Sequence, residues 1–360
     1  MSDLILDSLE IKNFRLFKHL EIERLGRVNL IVGKNGVGKT SLLEAILLYA
    51  YRGFSAIIAQ ILERHNETTY AMTQEGYPQW FLAIGHLFNG RPPLRNAPLS
   101  LNINSAKSTF TFTFDFAELT DSTVPVISVR VDEESTTYAL TGDLVQLRWE
   151  SIKCILRTPY AKRDSGSAEL WDDVVIADRE EDVMTALRII LPEVERLNFV
   201  TGTSLSIRHP SLIGDSSVEE RKDSQERIPI VKLGNLPHTV PLRSMGDGVN
   251  NMFELALAIA NSKNGLALID EIESGLHYSV QPDMWRLVFE TAAKLNVQVF
   301  ATTHSLDCIR AFESAASERD EEESLLISLR RHRQEQEKIV AVLAGKDELD
   351  TIVHSHIEVR

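Results

Sequence analysis

Residues 33 to 40 read Gly33-Lys34-Asn35-Gly36-Val37-Gly38-Lys39-Thr40 and fit the phosphate-loop pattern G-x-x-x-x-G-K-[ST] at every fixed position. Such a loop works only where a buried strand hands the chain to a helix N-terminus. Both flanks comply: Arg27-Val28-Asn29-Leu30-Ile31-Val32 reads as a short buried strand, and Ser41-Leu42-Leu43-Glu44-Ala45-Ile46-Leu47-Leu48 as a helix. The glycines let successive backbone N–H groups curl around an anion, and the helix end adds partial positive charge. In this pattern Lys39 reaches the β- and γ-phosphates and the Thr40 hydroxyl holds Mg2+.

Composition limits what such a unit can belong to. The 360 residues suffice for a large core, as several domains or as one with insertions. A net charge of −14 argues against a broad DNA-coating surface but leaves room for a local basic groove. The short basic stretches Arg91 to Arg95, Arg157 to Arg163 and Arg330 to Arg333 read first as solvated faces. No apolar run approaches the ~20 residues that cross a bilayer, and Met1-Ser2-Asp3-Leu4 lacks the blocks of a secretory signal. Cys154 and Cys308 stand far apart with no metal-type spacing, as buried thiols in a reducing cytoplasm would. No membrane partner is expected.

Hydrophobic periodicity divides the chain. Strand alternation runs through Leu9-Glu10-Ile11-Lys12 and His19-Leu20-Glu21-Ile22-Glu23, with Asn13-Phe14-Arg15 between. A helical stretch follows from Thr40 to about Glu67 and on toward Phe88, then a Gly90-Arg91-Pro92-Pro93 loop. Thr109-Phe110-Thr111-Phe112-Thr113-Phe114 alternates cleanly, with partner strands at Val126 to Val131 and Thr136 to Leu140. Glu180 to Arg196 reads as a helix and Ile213 to Arg227 as a charged loop. Then come a strand at Ile230 to Leu233, a helix from Gly248 to Ser262, a strand from Gly265 to Asp270 and a helix from Ser279 to Leu295. A strand at Val297 to Thr302, a helix from Leu306 and a hairpin between Leu325 and Leu343 complete the pattern. Strands separated by helices in the second half indicate a parallel α/β core, and the β-rich first half an antiparallel layer built onto it.

Three further motifs bear on chemistry. Leu266-Ala267-Leu268-Ile269-Asp270-Glu271 is an apolar strand ending in two acids, the place where phosphate-loop enzymes put a metal-binding carboxylate. Asp270 is the metal candidate, and Glu271 the base that orients and deprotonates water. Val299-Phe300-Ala301-Thr302-Thr303-His304-Ser305 delivers His304 to the ligand-binding edge of the sheet, within reach of a γ-phosphate. Leu242-Arg243-Ser244-Met245-Gly246-Asp247-Gly248 opens an apolar helix with small residues, a second anion-binding surface or an ordinary capping loop.

The order of these motifs resembles the ABC-type ATPase heads of the RecF, SMC and OLD families. It rests on Ile11-Lys12-Asn13-Phe14-Arg15, the phosphate loop, Ser244 to Gly248 in place of the transporter LSGGQ, Asp270-Glu271-Ile272-Glu273-Ser274-Gly275-Leu276-His277, and Thr302-Thr303-His304-Ser305. Asn-Phe-Arg and Asp-Glu-Ile-Glu-x-Gly-Leu-His are most like stand-alone OLD-like and RecF-like proteins. The resemblance implies an α/β P-loop NTPase of ABC-ATPase type: a mixed core sheet with helices, an antiparallel β layer and a helical insertion. It implies a single head over 1–360, with 1–50 and 229–345 as nucleotide core. The insertion 51–228 divides into helical (51–98), β-rich (99–157) and helical or loop (158–228) parts.

It further implies ATP and Mg2+ as cofactors, held at sites shared by a homodimer or a higher oligomer. Asn35, Gly36, Gly38, Lys39, Thr40 and Ser41 of one copy would bind nucleotide, while Ser244, Gly246 and Gly248 of the other cap it. Arg15 would lie near the nucleotide. Glu273 to His277 would form the D-loop facing the second copy, with His277 either an interface or a packing residue. The Q-loop glutamine stays open among Gln60, Gln74, Gln79 and Gln146, with Gln146 preferred because it follows the β layer. The roughly 200 residues between the ATPase halves carry no heptads, unlike SMC proteins. After His304 the sequence is too short for the Toprim nuclease domain of OLD proteins. A separately encoded effector such as a Toprim-type nuclease, acting in antiphage defence, is therefore expected. DNA, bound as RecF-like repair proteins bind it, is the rival partner, and an ATP-binding scaffold without turnover is a third reading.

Overall fold

A computed structural model of the chain describes residues 4–68, 79–119, 122–140, 150–159, 166–201, 227–319 and 324–345. The chain opens with strands β1 (Leu9–Phe14), β2 (Phe17–Ile22) and β3 (Val28–Val32), then helices α1 (Lys39–Ala50) and α2 (Ser55–Arg64). Strands β4 (Leu99–Asn104), β5 (Thr109–Leu119), β6 (Ser122–Val131), β7 (Glu134–Ala139) and β8 (Cys154–Arg157) follow. Next come α3 (Ser167–Ile176), α4 (Glu180–Ile190), β9 (Val194–Thr201), β10 (Arg227–Leu233) and β11 (Val240–Pro241). The last third holds α5 (Asp247–Asn261), β12 (Leu266–Ile269), α6 (Gln281–Leu295), β13 (Gln298–Thr302) and α7 (Leu306–Ser317). It closes with β14 (Ser324–Arg331) and β15 (Ile339–Ala344).

The central sheet has the order β15-β14-β3-β13-β12-β8, with all pairs parallel except β14–β15. Strands β3, β12 and β13 are buried along their whole length, as parallel strands covered on both faces must be. Side chains alternate between two cores. Ile31, Leu266, Leu268, Phe300 and Ile327 pack with α1 and the antiparallel sheet, while Val28, Leu30, Val32, Ala267, Ile269 and Val299 pack with α5, α6 and α7. The sheet therefore delivers Gly33, Asp270 and His304 to the same edge, each one to two residues past the end of its strand.

The second sheet is antiparallel, in the order β2-β1-β4-β5-β6-β7. Phe110, Phe112 and Phe114 line its buried face, and Thr111 and Thr113 on the other face donate hydroxyl hydrogens to Asn102 and Ser100. Leu9–Ile22, grouped from the sequence with the nucleotide core, is paired here through β1 and β4. Cys154–Arg157, grouped with the insertion, is instead the edge strand of the central sheet. Strand periodicity gives no pairing partner, so neither placement was legible. The single helix expected from Thr40 to Glu67 is two, because Arg52 and Gly53 both take left-handed backbone (φ 52° and 69°).

A small sheet, β11-β10-β9, joins α3 and α4 against α5 through Trp171, Phe199 and Phe253. The helix expected to reach Arg196 stops at Ile190, where Leu191 precedes Pro192, and the chain continues as β9. The expected terminal hairpin forms, and its first strand joins the central sheet beside β3. Most of the charged loop from Ile213 lies outside the described residues. Among the described residues no helix is long and apolar enough to cross a membrane.

Candidate functional site

The phosphate loop is built on backbone that side chains would block. Gly33 takes φ 146°, and a Cβ there would stand 2.4 Å from the Leu329 carbonyl oxygen; Gly38, which caps α1, takes φ 95°. Lys39 is buried and folds back into its own loop, donating from Nζ to the Gly33 carbonyl at 2.7 Å and the Lys34 carbonyl at 3.1 Å. These oxygens occupy the ammonium as phosphate oxygens would, so the donor set suits a polyphosphate. Burial lowers the Lys39 pKa, opposed by the charges of Asp270, Glu271 and Glu273. Asn35 and Gly36 are exposed at the tip, where Arg331 donates from Nη2 to the Gly36 carbonyl at 3.1 Å.

Asp270 is held between two hydroxyls. Thr40 donates to Oδ2 at 3.0 Å and Thr302 to Oδ1 at 2.6 Å, while the Thr302 oxygen also accepts the Glu271 N–H at 2.9 Å. One carboxylate and one hydroxyl side by side form the small oxygen set that Mg2+ takes when a nucleotide completes its shell. Among the described residues no cluster of three or more His, Cys, Asp or Glu makes a protein-only metal cage. Glu271 sits in left-handed backbone at φ 49°, half-buried. Burial and the Asp270 charge raise its pKa, and His304, whose Nε2 is 4.0 Å from Glu271 Oε1, pulls it back. The His304 backbone N–H donates to Glu273 Oε1 at 3.0 Å, tying the two strand ends together. Five expected residues, Lys39, Thr40, Asp270, Glu271 and His304, thus share one network. Thr302 was missed; a hydroxyl closing an otherwise apolar strand was its only sequence signal.

The other expected residues are held elsewhere. Ser244 lies in a 3-10 turn with its hydroxyl turned back to the Pro241 carbonyl at 2.6 Å. Gly246, at φ 99°, caps α5, and Gly248 in its first turn packs against the Gly275 carbonyl. His277 folds onto Ser279 and stacks beside exposed Tyr278, 4.3 Å between centroids. Gln60 is exposed on α2 and Gln79 opens a 3-10 turn, while Gln74 and Gln146 lie outside the described residues.

Arg15, expected near nucleotide, spends its guanidinium on buried acids: Nε is 2.9 Å from Glu44 Oε2 and Nη2 is 3.3 Å from Glu67 Oε2. It adjoins a cavity of about 450 Å3 that also reaches Ser41, His65 and Arg91. Arg15→Ala should therefore lower the thermal midpoint, since an abandoned buried partner costs about 3 kcal/mol, and leave the KM for ATP near wild type. Calorimetry and steady-state kinetics check this; an unchanged midpoint with a raised KM would place Arg15 at the nucleotide.

The AAA domain family matches residues 8–68 and the AAA ATPase domain family residues 173–309. An uncharacterised protein of Methanocaldococcus jannaschii is 43% identical over 61 residues, 16% of this chain and 28% of its own length. The DNA replication and repair protein RecF of Clostridioides difficile is 50% identical over 46 residues, 13% of this chain and 12% of RecF. The chain thus spans under a third of the length of these relatives. An ATP/GTP phosphatase of Helicobacter pylori is 20% identical over 344 residues, 88% of this chain and 90% of that protein. In fold, a crystal structure of an Smc head bound to the C-winged helix domain of ScpA superposes with a TM-score of 0.50 at 15% identity, over 96% of this chain and 99% of that one.

Sheet topology and loop define a P-loop ATPase fold of the ABC type, and two ATPase-domain families match parts of the chain. The short stretch that resembles RecF and the overall likeness to an Smc head are similarities of part of the sequence and of the fold.

Proposed function

We propose that two copies of this chain close head to head around ATP and Mg2+ and hydrolyse ATP to ADP and phosphate. The observation that carries the reading is Asp270 held between the Thr40 and Thr302 hydroxyls with Glu271 alongside. When bound, Mg2+ neutralises charge on the phosphate oxygens and helps align them. Thr40 and Asp270 would hold it, and Lys39 would exchange its loop carbonyls for the β- and γ-phosphates. Glu271 orients a water and takes its proton as the water oxygen attacks the γ-phosphorus and the bond to the β-phosphate oxygen breaks. His304 donates to the γ-phosphate and reports its loss. Ser244, Gly246 and Gly248 of the second copy complete the cage. Positioning and charge stabilisation supply most of the acceleration.

Mixing two dead variants tests the shared site. Lys39→Ala and Ser244→Arg should each be inactive alone. Mixed, they should regain up to about a quarter of the wild-type rate, since half the dimers are mixed and each has one intact site. No recovery, with both variants folded, sinks the composite site.

The work this engine drives is assigned to a separate effector in a reducing cytoplasm, a nuclease of the Toprim type in OLD-like antiphage systems being our reading; copurification with a neighbouring gene product tests it. The RecF match favours a second reading, binding of duplex DNA across the dimer. ATP-dependent affinity for DNA that falls steeply with salt would select it.

A further inference from the structure

We propose that Arg157 is a positioning residue that locks the start of α5 to the carboxyl end of β12, so that a protomer's capping end and its own carboxylates move as one unit. The inference rests on the composite-site reading, because only there do these two ends serve different nucleotides.

Arg157 belongs to a basic stretch that reads in sequence as a solvated face, yet the side chain is only 9% exposed. It ends β8, in register with Ile269, and its carbonyl accepts the Asp270 N–H at 2.9 Å. Its guanidinium reaches the other way: Nη2 donates to Asn251 Oδ1 at 2.9 Å, on the second turn of α5. Asn251 passes the contact on, donating from Nδ2 to the Ser274 carbonyl at 2.7 Å in the loop after the paired acids. Beside it, Gly248 lies so close to Gly275 that a Cβ would stand 2.8 Å from the Gly275 carbonyl oxygen. One continuous path therefore runs from the Asp270 backbone through Arg157 and Asn251 to the D-loop, with the capping end of α5 packed against it.

The arrangement is costly to keep. Nη1 of Arg157 is buried without a hydrogen-bond partner among the described residues, and burial lowers the guanidinium pKa with only the Glu254 charge set against it. A methionine, the apolar side chain nearest in length, would occupy the space without that penalty. What the arginine adds is a directional hydrogen bond from the end of β8 to the second turn of α5. If α5 shifts to meet a second copy's nucleotide, the tie carries that shift to Asp270 and Glu271, and the two sites of a dimer become coupled.

The test is ATP hydrolysis by the full chain as a function of ATP concentration, in wild type, Arg157→Lys and Asn251→Ala. Asn251 is half-buried, so its variant keeps the test alive if the arginine change impairs folding. Wild type should show a Hill coefficient approaching about 2, the number of sites. Asn251→Ala should fall toward 1, with kcat down about tenfold, or ~1.4 kcal/mol of barrier, and equilibrium ATP affinity unchanged. Arg157→Lys, which keeps the charge and a donor for Asn251, should show a smaller fall in both quantities. A non-cooperative wild type, or folded variants with wild-type kcat and Hill coefficient, overturns the tie. Failure of the mixed-variant rescue instead removes the composite site beneath it.

Discussion

Glu271→Gln should bind ATP as wild type does, slow hydrolysis by about 10²- to 10⁴-fold, and accumulate as a dimer that ATP holds closed. The amide keeps the size and hydrogen-bonding reach of the side chain but cannot take a proton. The closed dimer then persists because hydrolysis no longer releases it. Sedimentation with and without ATP, together with single-turnover rates, reads both effects; turnover at the wild-type rate would remove Glu271 from the base position. The pH profile adds a signature. Burial and Asp270 hold the Glu271 pKa above its ordinary 4.5, and the base must be ionised. The acid limb of the rate should therefore lie above the ordinary carboxylate range. The same shift sets a stability effect. A carboxyl whose folded pKa is raised contributes fully below its unfolded value and loses that contribution as pH rises through the raised one. At neutral pH the ionised Glu271 is therefore a burden on the fold, and Glu271→Gln should melt no lower than wild type.

Lys39→Ala should weaken ATP binding by about 10- to 100-fold, the 1.5–3 kcal/mol of hydrogen bonds to a charged group, and abolish measurable turnover. The loop itself should survive, because Gly33 and Gly38 set its backbone and Leu329 packs against it independently of the ammonium. The buried Gly33 carbonyl and the part-buried Lys34 carbonyl lose their donor in the variant, and water entering from the exposed tip can replace it. Binding of a fluorescent ATP analogue and a thermal melt separate the two outcomes. A variant that binds ATP normally would overturn the placement of Lys39 against the phosphates, whereas one that unfolds would assign it to the loop's structure.

How far the sequence reached can be judged residue by residue. The phosphate loop, the paired acids and His304 were legible because each sits at a strand end, where a run of apolar residues stops and polar chemistry begins. Thr302 and Arg157 were not. Thr302 counts as part of an apolar strand until the fold sets its hydroxyl against Asp270, and Arg157 looks solvated until β8 takes its place at the edge of the central sheet. Arg15 shows the opposite case. Its motif sits by the turn between β1 and β2, but the contact that engages its side chain is with Glu44 and Glu67, far along the chain.

By itself the sequence determined the local units: which stretch is strand, which helix, and where glycine lets backbone wrap an anion. Those properties depend on side-chain period and backbone freedom over a few residues, so they can be read from the chain directly. Tertiary structure alone decided that β1 and β2 pair into the antiparallel sheet, that β8 lies next to β12, and that Thr40 meets Asp270 across 230 residues of separation. These are long-range pairings, fixed by packing of the whole core, and a local pattern carries no record of its partner.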